Sequence, residues 1–360
     1  MSATVVIAPD SFKGSLSARE VAEAIAEGWR SVRPDDDLVL VPQADGGEGT
    51  LDAIEASVPG SVRRSAGDVT GPDGRRTPGE WLELPDGTAV VELAQSSGLP
   101  LMREPDPLGA TTRGLGEVIR AALDAGATSL VIGLGGSAST DGGAGALSAL
   151  GLLLIDEQGE LVPEGGRGLA DIVDVHRDGL APAPAGGVTL LTDVTAPLLG
   201  PTGAAAVFGP QKGATPAQVT RLDAALAHFA DMLGGDPARP GSGAAGGAGY
   251  GFAAAWGATI VPGADRLAQL SGLAEAVARA DVLLSGEGRF DDQSLTGKVV
   301  GRVLALGAGI TTGVIAGQVT APTGGWSASL TELAGSVEVA MADTATWLRA
   351  AGAKAARELN

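Results

Sequence analysis

The sequence predicts an α/β fold, and three observations carry that expectation. Short β-branched apolar runs alternate with Ala-rich segments of helical period. Aromatic residues make up only 3% of the chain against 44% hydrophobic residues overall, so the cores must be Ala, Val, Leu and Ile packed closely. The 360 residues are about what two α/β domains of ordinary size use. Alternation of this kind implies mainly parallel sheet covered by helices, with ligands in loops at the carboxyl ends of strands.

The elements follow in order. Thr4–Ile7, Leu38–Val41, Ala89–Leu93, Ser129–Ile132, Val188–Thr192, Val282–Leu284, Thr312–Ala316 and Val337–Ala340 read as buried strands. Ser17-Ala-Arg-Glu20 is a capping box, and Val21, Ile25, Trp29 and Val32 behind it fall on one face of a helix that Pro34 stops. A second helix is expected from about Arg113 to Asp124, with Leu115, Val118, Ile119 and Ala122 inward and Gly126 just past its end.

Charge and composition exclude several classes. Lys+Arg 24 against Asp+Glu 43 gives a net charge of −19, which repels nucleic-acid backbones and anionic lipid. The adjacent basic pairs Arg63-Arg64 and Arg75-Arg76 are too little for a nucleic-acid footprint. Without cysteine there are no disulfides, thiol catalysis or thiolate metal sites, which fits a reducing compartment. The N-terminus has no basic start, and no stretch approaches the roughly 18 apolar residues of a membrane span. A cytoplasmic protein is expected, a monomer or homodimer working on small molecules.

A motif recurs three times: Ala44-Asp-Gly-Gly-Glu-Gly49, Thr140-Asp-Gly-Gly-Ala-Gly145 and Ala245-Gly-Gly-Ala-Gly-Tyr250, each just before an Ala/Leu-rich stretch. Glycine lets backbone N–H groups approach a ligand, and a following helix adds positive potential, so such junctions can bind anions without a basic side chain. Lysine usage points the same way. Of only four lysines, Lys13, Lys212 and Lys298 lie among glycines, while Lys354 is on the tail. A compact ammonium serves phosphate or carboxylate as a mobile point charge. Together these features suggest phosphate chemistry.

Other motifs fit less well. A P-loop fails at Gly297-Lys298, which is followed by Val299 and has Asp292 where the first glycine belongs. Gly133-Leu-Gly135-Gly-Ser-Ala138 matches a dinucleotide fingerprint after a strand, which keeps an NAD(P)-dependent dehydrogenase of a small hydroxy acid as the alternative function. Against it, Gly142, Gly143 and Gly145 interrupt the helix that should follow. The nucleophile elbow fails at Gly135-Gly-Ser137-Ala-Ser139, and His176 and His228 sit where no triad or metal site is suggested. Acid–base chemistry therefore falls to carboxylates in glycine-rich contexts: Asp10, Asp45, Asp141, Asp193, Glu287 and Asp291. Asp193 ends an apolar strand, where α/β enzymes commonly place a reacting group. Ser285-Gly-Glu-Gly-Arg-Phe-Asp-Asp292 sets carboxylate, cation and glycine together directly after another.

Five blocks then closely resemble the type I glycerate kinase family: Ala8-Pro-Asp-Ser-Phe-Lys-Gly-Ser-Leu-Ser17, Asp45-Gly-Gly-Glu-Gly-Thr50, Gly133-Leu-Gly-Gly-Ser-Ala-Ser-Thr-Asp-Gly-Gly-Ala-Gly145, Phe208-Gly-Pro-Gln-Lys-Gly213 and Ser285-Gly-Glu-Gly-Arg-Phe-Asp291. They span essentially the whole chain, in order. Thr195-Ala196 and Phe290 depart from the family's pattern.

The resemblance implies an ATP-dependent kinase that transfers the γ-phosphoryl group to D-glycerate, most commonly at the 2-hydroxyl, with Mg²⁺. It also implies two α/β domains, one Rossmann/flavodoxin-like with a mainly parallel sheet and the other a smaller mixed α/β domain. Residues 1–66 and 285–360 would form a discontinuous domain, 67–284 an inserted one, and the active site would lie in the cleft between them. Joined to the residue-level reading, the expected roles are these. Asp193 is the base, with Lys13 and Lys298 at the catalytic step; Asp10, Ser11, Asp45, Glu48, Lys212 and Arg289 bind substrate. Gly135, Gly136, Ser137, Ser139, Thr140 and Asp141 bind the nucleotide, and Glu287 and Asp291 hold the metal.

Overall fold

The computed structural model describes residues 2–295 and 299–359. In chain order the strands are β1 (Thr4–Ile7), β2 (Asp37–Leu40), β3 (Val62–Thr70), β4 (Arg76–Glu83), β5 (Thr88–Glu92), β6 (Ser129–Gly133), β7 (Leu153–Ile155), β8 (Asp174–His176), β9 (Val188–Leu191), β10 (Thr259–Val261), β11 (Val282–Phe290), β12 (Thr311–Val319) and β13 (Trp326–Ser329). They form a five-stranded sheet in the order β13-β12-β11-β1-β2, a six-stranded sheet in the order β10-β9-β6-β5-β4-β3, and the small pair β7-β8.

The chain divides into two compact units: residues Met1–Asp45, Asp52–Pro59 and Ala264–Asn360, and residues Gly46–Leu51 and Gly60–Gly263. These divisions differ from the expected 66/67 and 284/285. β3, beginning at Val62, pairs antiparallel with β4 in the second unit's sheet, while β11, beginning at Val282, pairs with β1 in the first unit's sheet.

The first unit's sheet is parallel throughout. From β1 the chain moves to β2 on one side, while β11, β12 and β13 extend the sheet on the other, which is the flavodoxin-like strand order. Alternating side chains serve two cores, as the period of two requires. Val5, Ile7, Val282, Leu284 and Ile315 pack with Val21, Ile25, Trp29, Leu348 and Ala351. On the opposite face Val6, Ala8 and Leu283 pack with Leu273, Val277, Val299 and Val303. The helix Ala18–Arg30 carries the expected capping box, with Glu20 N donating to Ser17 Oγ and Ser17 N to Glu20 Oε2. It lies so close to the helix Thr344–Glu358 that a Cβ on Gly28 would sit 2.0 Å from Arg349 O, and one on Gly352 2.2 Å from Ile25 O.

The second unit's sheet is mixed: β10, β9, β6 and β5 are parallel, then β4 and β3 are antiparallel. It belongs to the larger unit rather than the smaller, because the long chain between β6 and β10 is folded into it. Ala89, Val91, Leu130, Ile132, Val188 and Leu190 pack against Leu115, Ile119, Leu222, Leu226 and Phe229. The expected helix Arg113–Asp124 is present at those bounds.

One expected strand is a helix. Val337–Ala342 is helical, because Ser336 caps it through a hydrogen bond from Val339 N and Ala340 turns inward. The fifth parallel strand is instead β13, whose Trp-Ser-Ala-Ser sequence carries no run of β-branched residues to mark it. Among the described residues no helix is long and apolar enough to cross a membrane.

Candidate active site

In the first unit the strand order reverses between β1 and β11, and ligands of open α/β sheets bind at the carboxyl ends of such a pair. The chain past β1 stays in register with β11, with Ala8 N on Leu284 O and Asp10 N on Gly286 O, both 2.8 Å. This brings Asp10 to the end of the sheet beside Glu287, which lies within β11. Asp10 is half-buried, and burial first, then the neighbouring Asp45 and Glu287, push its carboxyl up to about 7. Ser11 N, donating to Asp10 Oδ1 at 2.7 Å, and the Lys13 ammonium pull the other way without prevailing. Lys13 is exposed and stands 4.0 Å from Asp45 Oδ2.

Four of the expected residues, Asp10, Lys13, Asp45 and Glu287, thus share one electrostatic neighbourhood, and Ser11 serves it through its backbone. Arg289 is exposed and pairs with Asp291 at 3.6 Å. Asp291 also caps the turn that follows it, with Oδ1 accepting from Gln293 N and its own N–H donating to Ser294 Oγ. Its carboxylate is engaged locally by Gln293 N and Arg289. Lys298 lies outside the described residues.

The second unit holds the other half of the expected set. The loop after β6 lies along the carboxyl edge of the parallel strands. Leu99 N donates to Gly136 O and Ala138 N to Ser97 O, stitching the loop to the chain after β5. Behind it, Lys212 is 2% exposed, and its ammonium donates to Ser137 Oγ at 2.8 Å and Ser139 O at 2.5 Å. Burial lowers this ammonium to about 8, and Asp141 opposes the shift. An ammonium has three N–H groups, so one is left over. Ser139 Oγ and Thr140 Oγ1 are buried with no hydrogen-bond partner, and so is Ser96 Oγ in the helix Leu93–Ser97. Buried hydroxyls without partners are rare in folded proteins.

The structure gives some loop residues other work. A Cβ on Gly135 would sit 2.4 Å from Gly47 Cα, and Gly135 N donates to Gly46 O, so this glycine admits the Gly46–Leu51 segment. Asp141 is wholly buried and accepts from Thr112 N, Thr112 Oγ1, Gly143 N and Gly145 N. Burial raises its pKa against those bonds, and its carboxylate fastens the loop from within. Asp193, two residues past β9, is exposed, with Oδ1 accepting from Gly263 N at 3.0 Å. Glu48 is exposed. Of the two histidines, His176 pairs with Asp174 on the surface and His228 meets Ile172 O.

Sequence reasoning missed three supporting groups. Glu92 ends β5 buried, and its carboxylate accepts from Gly49 N and Leu51 N at 3.1 Å each, fixing the Asp-Gly-Gly-Glu segment. An acid closing an otherwise apolar strand was the available signal. Thr112 and Ser96 gave none, since each sits among polar neighbours, Thr111 and Arg113 or Gln95 and Ser97, that do not single it out.

A loop of glycines and hydroxyls over a buried ammonium, at the carboxyl edge of a parallel sheet, is the equipment of a phosphotransferase. Comparison with known proteins agrees. The glycerate kinase family profile matches residues 5–360. The chain is 44% identical over 304 residues to the glycerate 2-kinase of Escherichia coli (strain K12), covering 82% of this chain and 79% of that one. It is likewise 44% identical over 303 residues to the glycerate kinase of Bacillus subtilis (strain 168), with the same coverage. A crystal structure titled putative glycerate kinase 2, from Salmonella typhimurium LT2, superposes with a TM-score of 0.83 at 37% identity, covering 100% of this chain and 98% of that one. The chain belongs to the glycerate kinase family, and it is a phosphotransferase enzyme. The dehydrogenase alternative finds no support. Gly133 and Gly135 are bare because Gly46 and Gly47 pack on them, and the next helix starts only at Ala144.

Proposed function

We propose that this chain transfers the γ-phosphoryl group of ATP to the 2-hydroxyl of D-glycerate, giving 2-phosphoglycerate and ADP, with Mg²⁺. The observation that carries the reading is the Lys212 ammonium under the Ser137–Thr140 loop, beside two hydroxyls left without partners. Phosphoryl transfer asks mainly for positioning and charge neutralisation. A buried cation behind a polar loop supplies both for polyphosphate oxygens. Ser137, Ser139 and Thr140 would face those oxygens, with Lys212 holding the loop and lending it charge.

Asp193 is the base in this reading. It stands at a strand end, exposed enough to meet an acceptor, and Gly263 N holds its carboxylate in place. The acceptor oxygen attacks the γ-phosphorus as its proton passes to Asp193, and the bond from phosphorus to the ADP oxygen breaks. Lys13 and Arg289, exposed cations in the first unit, suit the glycerate carboxylate. One or two carboxylates from among Asp10, Asp45 and Glu287 would hold Mg²⁺, which takes one or two carboxylates plus phosphate oxygens. Among the described residues no three acidic or histidine side chains form a ready-made cage. When bound, the ion would neutralise charge on the transferring group. An acidic, cysteine-free chain of this kind would work in the cytoplasm, as a monomer or homodimer.

ADP release with Mg²⁺-ATP over a panel of small hydroxy acids tests the reading, followed by NMR of the product. D-Glycerate should turn over fastest, with phosphorus on carbon 2. Phosphorus on carbon 3 removes the regiochemistry, and no ADP release with any acid removes the function.

A further inference from the structure

Ala245 is the one non-glycine among the described residues with positive φ (53°, ψ 44°), and Gly246 follows at 63° and 30°. A residue with a Cβ disfavours this conformation, and such outliers persist where the surroundings over-determine them, often at functional sites. What over-determines this one is on both sides of it. A Cβ on Gly246 would lie 2.1 Å from Ser139 O and 2.7 Å from Thr140 Cα, and Gly246 O accepts from Gly142 N at 3.0 Å. The turn is therefore seated against the loop after β6. Just before it, Gly243 N donates to Ala196 O at 3.0 Å, and a Cβ on Gly243 would meet Pro197 O at 2.2 Å. That is the loop carrying Asp193. One short turn thus touches both loops at the carboxyl edge of the second unit's sheet. The Ser139 oxygen it presses on is the one that accepts from Lys212 Nζ.

We propose that the Ala244–Gly247 turn is a positioning element for phosphoryl transfer: Gly246, acting through the Ser139 carbonyl, sets where Lys212 holds its ammonium. The inference rests on the role given to Lys212 under Proposed function. A carbonyl displaced by a few tenths of an ångström moves the loop and its cation together, and misplacement on that scale is costly to a step that depends on positioning.

A double-mutant cycle tests it. Gly246→Ala should lower kcat about tenfold while the KM for glycerate stays within about twofold, since the groups assigned to glycerate lie elsewhere. In a Lys212→Met background, whose residual turnover is measured at saturating substrate, adding Gly246→Ala should lower kcat by less than about twofold. Wild-type kcat in folded Gly246→Ala overturns the proposal, and so does the full tenfold loss repeated in Lys212→Met. If Gly246→Ala does not fold, Ala245→Gly decides, because it loosens the left-handed backbone that seats Gly246 against the Ser139 carbonyl and adds no atom to that contact. It should keep or raise Tm and lower kcat about three- to fivefold, and unchanged kcat overturns the proposal. Wild-type kcat in Lys212→Met alone is a different failure: it removes the role of the lysine itself.

Discussion

The two units carry their charge in opposite ways. In the first, carboxylates crowd together at the strand reversal, Asp10 beside Asp45 and Glu287, with Lys13 and Arg289 out in solvent. In the second, a cation is buried and its partners are a hydroxyl, a carbonyl and, at longer range, Asp141. A half-buried, like-charged cluster is unfavourable until something positive joins it, which suits a site completed by a cation and a substrate. A buried ammonium already fixed by two acceptors on the loop above it shapes that loop before any ligand arrives. The difference teaches that glycine-rich blocks which read alike in sequence do different jobs. Gly46 and Gly135 are needed where backbones touch, whereas the Ser137–Thr140 stretch supplies the hydroxyl and the carbonyl that hold Lys212.

The sharpest test of that contrast is Asp193→Asn. It keeps an oxygen for Gly263 N while removing the charged proton acceptor, so kcat should fall about 10²–10⁴-fold with nucleotide affinity unchanged by titration. Wild-type turnover would mean the base lies elsewhere, with the carboxylates of the first unit next in line.

Lys212 comes second. Its proton is held less tightly than in the unfolded chain, with a folded pKa near 8 against 10.5. Asp141 is the charged group facing it. If the ammonium is the working form, kcat should fall as pH rises through about 8. Lys212→Met should lose about 10²-fold in kcat and lack that alkaline limb. An identical limb in the variant would assign it to another group.

Asp10 should show in stability. Its carboxyl is raised from 3.8 to about 7 in the folded state, so the protonated form is favoured there. That contribution is fully present below pH 4 and lost as pH rises through about 7. Asp10→Asn, which keeps a neutral group, should raise Tm by a few degrees at pH 8 and flatten the dependence between pH 4 and 7. A lower Tm at pH 8 would mean the ionised form is favoured after all. The smallest effect is expected at Asp291, whose carboxylate pairs with exposed Arg289 and caps a short turn. Asp291→Ala should lower stability by about 1 kcal/mol and kcat by less than about threefold. A large rise in the Mg²⁺ requirement would instead make it a metal ligand.

Much of this was legible from the chain alone, because the signals are local. The continuous β-branched run Thr4–Ile7, the capping box at Ser17 and the spacing of Leu115, Val118, Ile119 and Ala122 each specify an element without distant partners. Each of the three Gly-Gly-x-Gly blocks does place left-handed glycines directly ahead of a helix: Gly46 and Gly49 before Thr50–Ser57, Gly142 and Gly143 before Ala144–Ala149, and Gly246 and Gly247 before Ala248–Trp256. What stayed hidden depends on residues far apart in sequence. Nothing local marks Trp326–Ser329 as a strand, since it is one only through its register with β12. Nor could sequence show that Lys212 points behind the loop, that Asp141 is consumed by Thr112 and two backbone amides, or that Gly246 is seated against Ser139. Propensity, capping and patterning act over a few residues and can be read there. Burial, charge proximity and backbone close approach are properties of pairs brought together by folding, so only the tertiary structure could decide them.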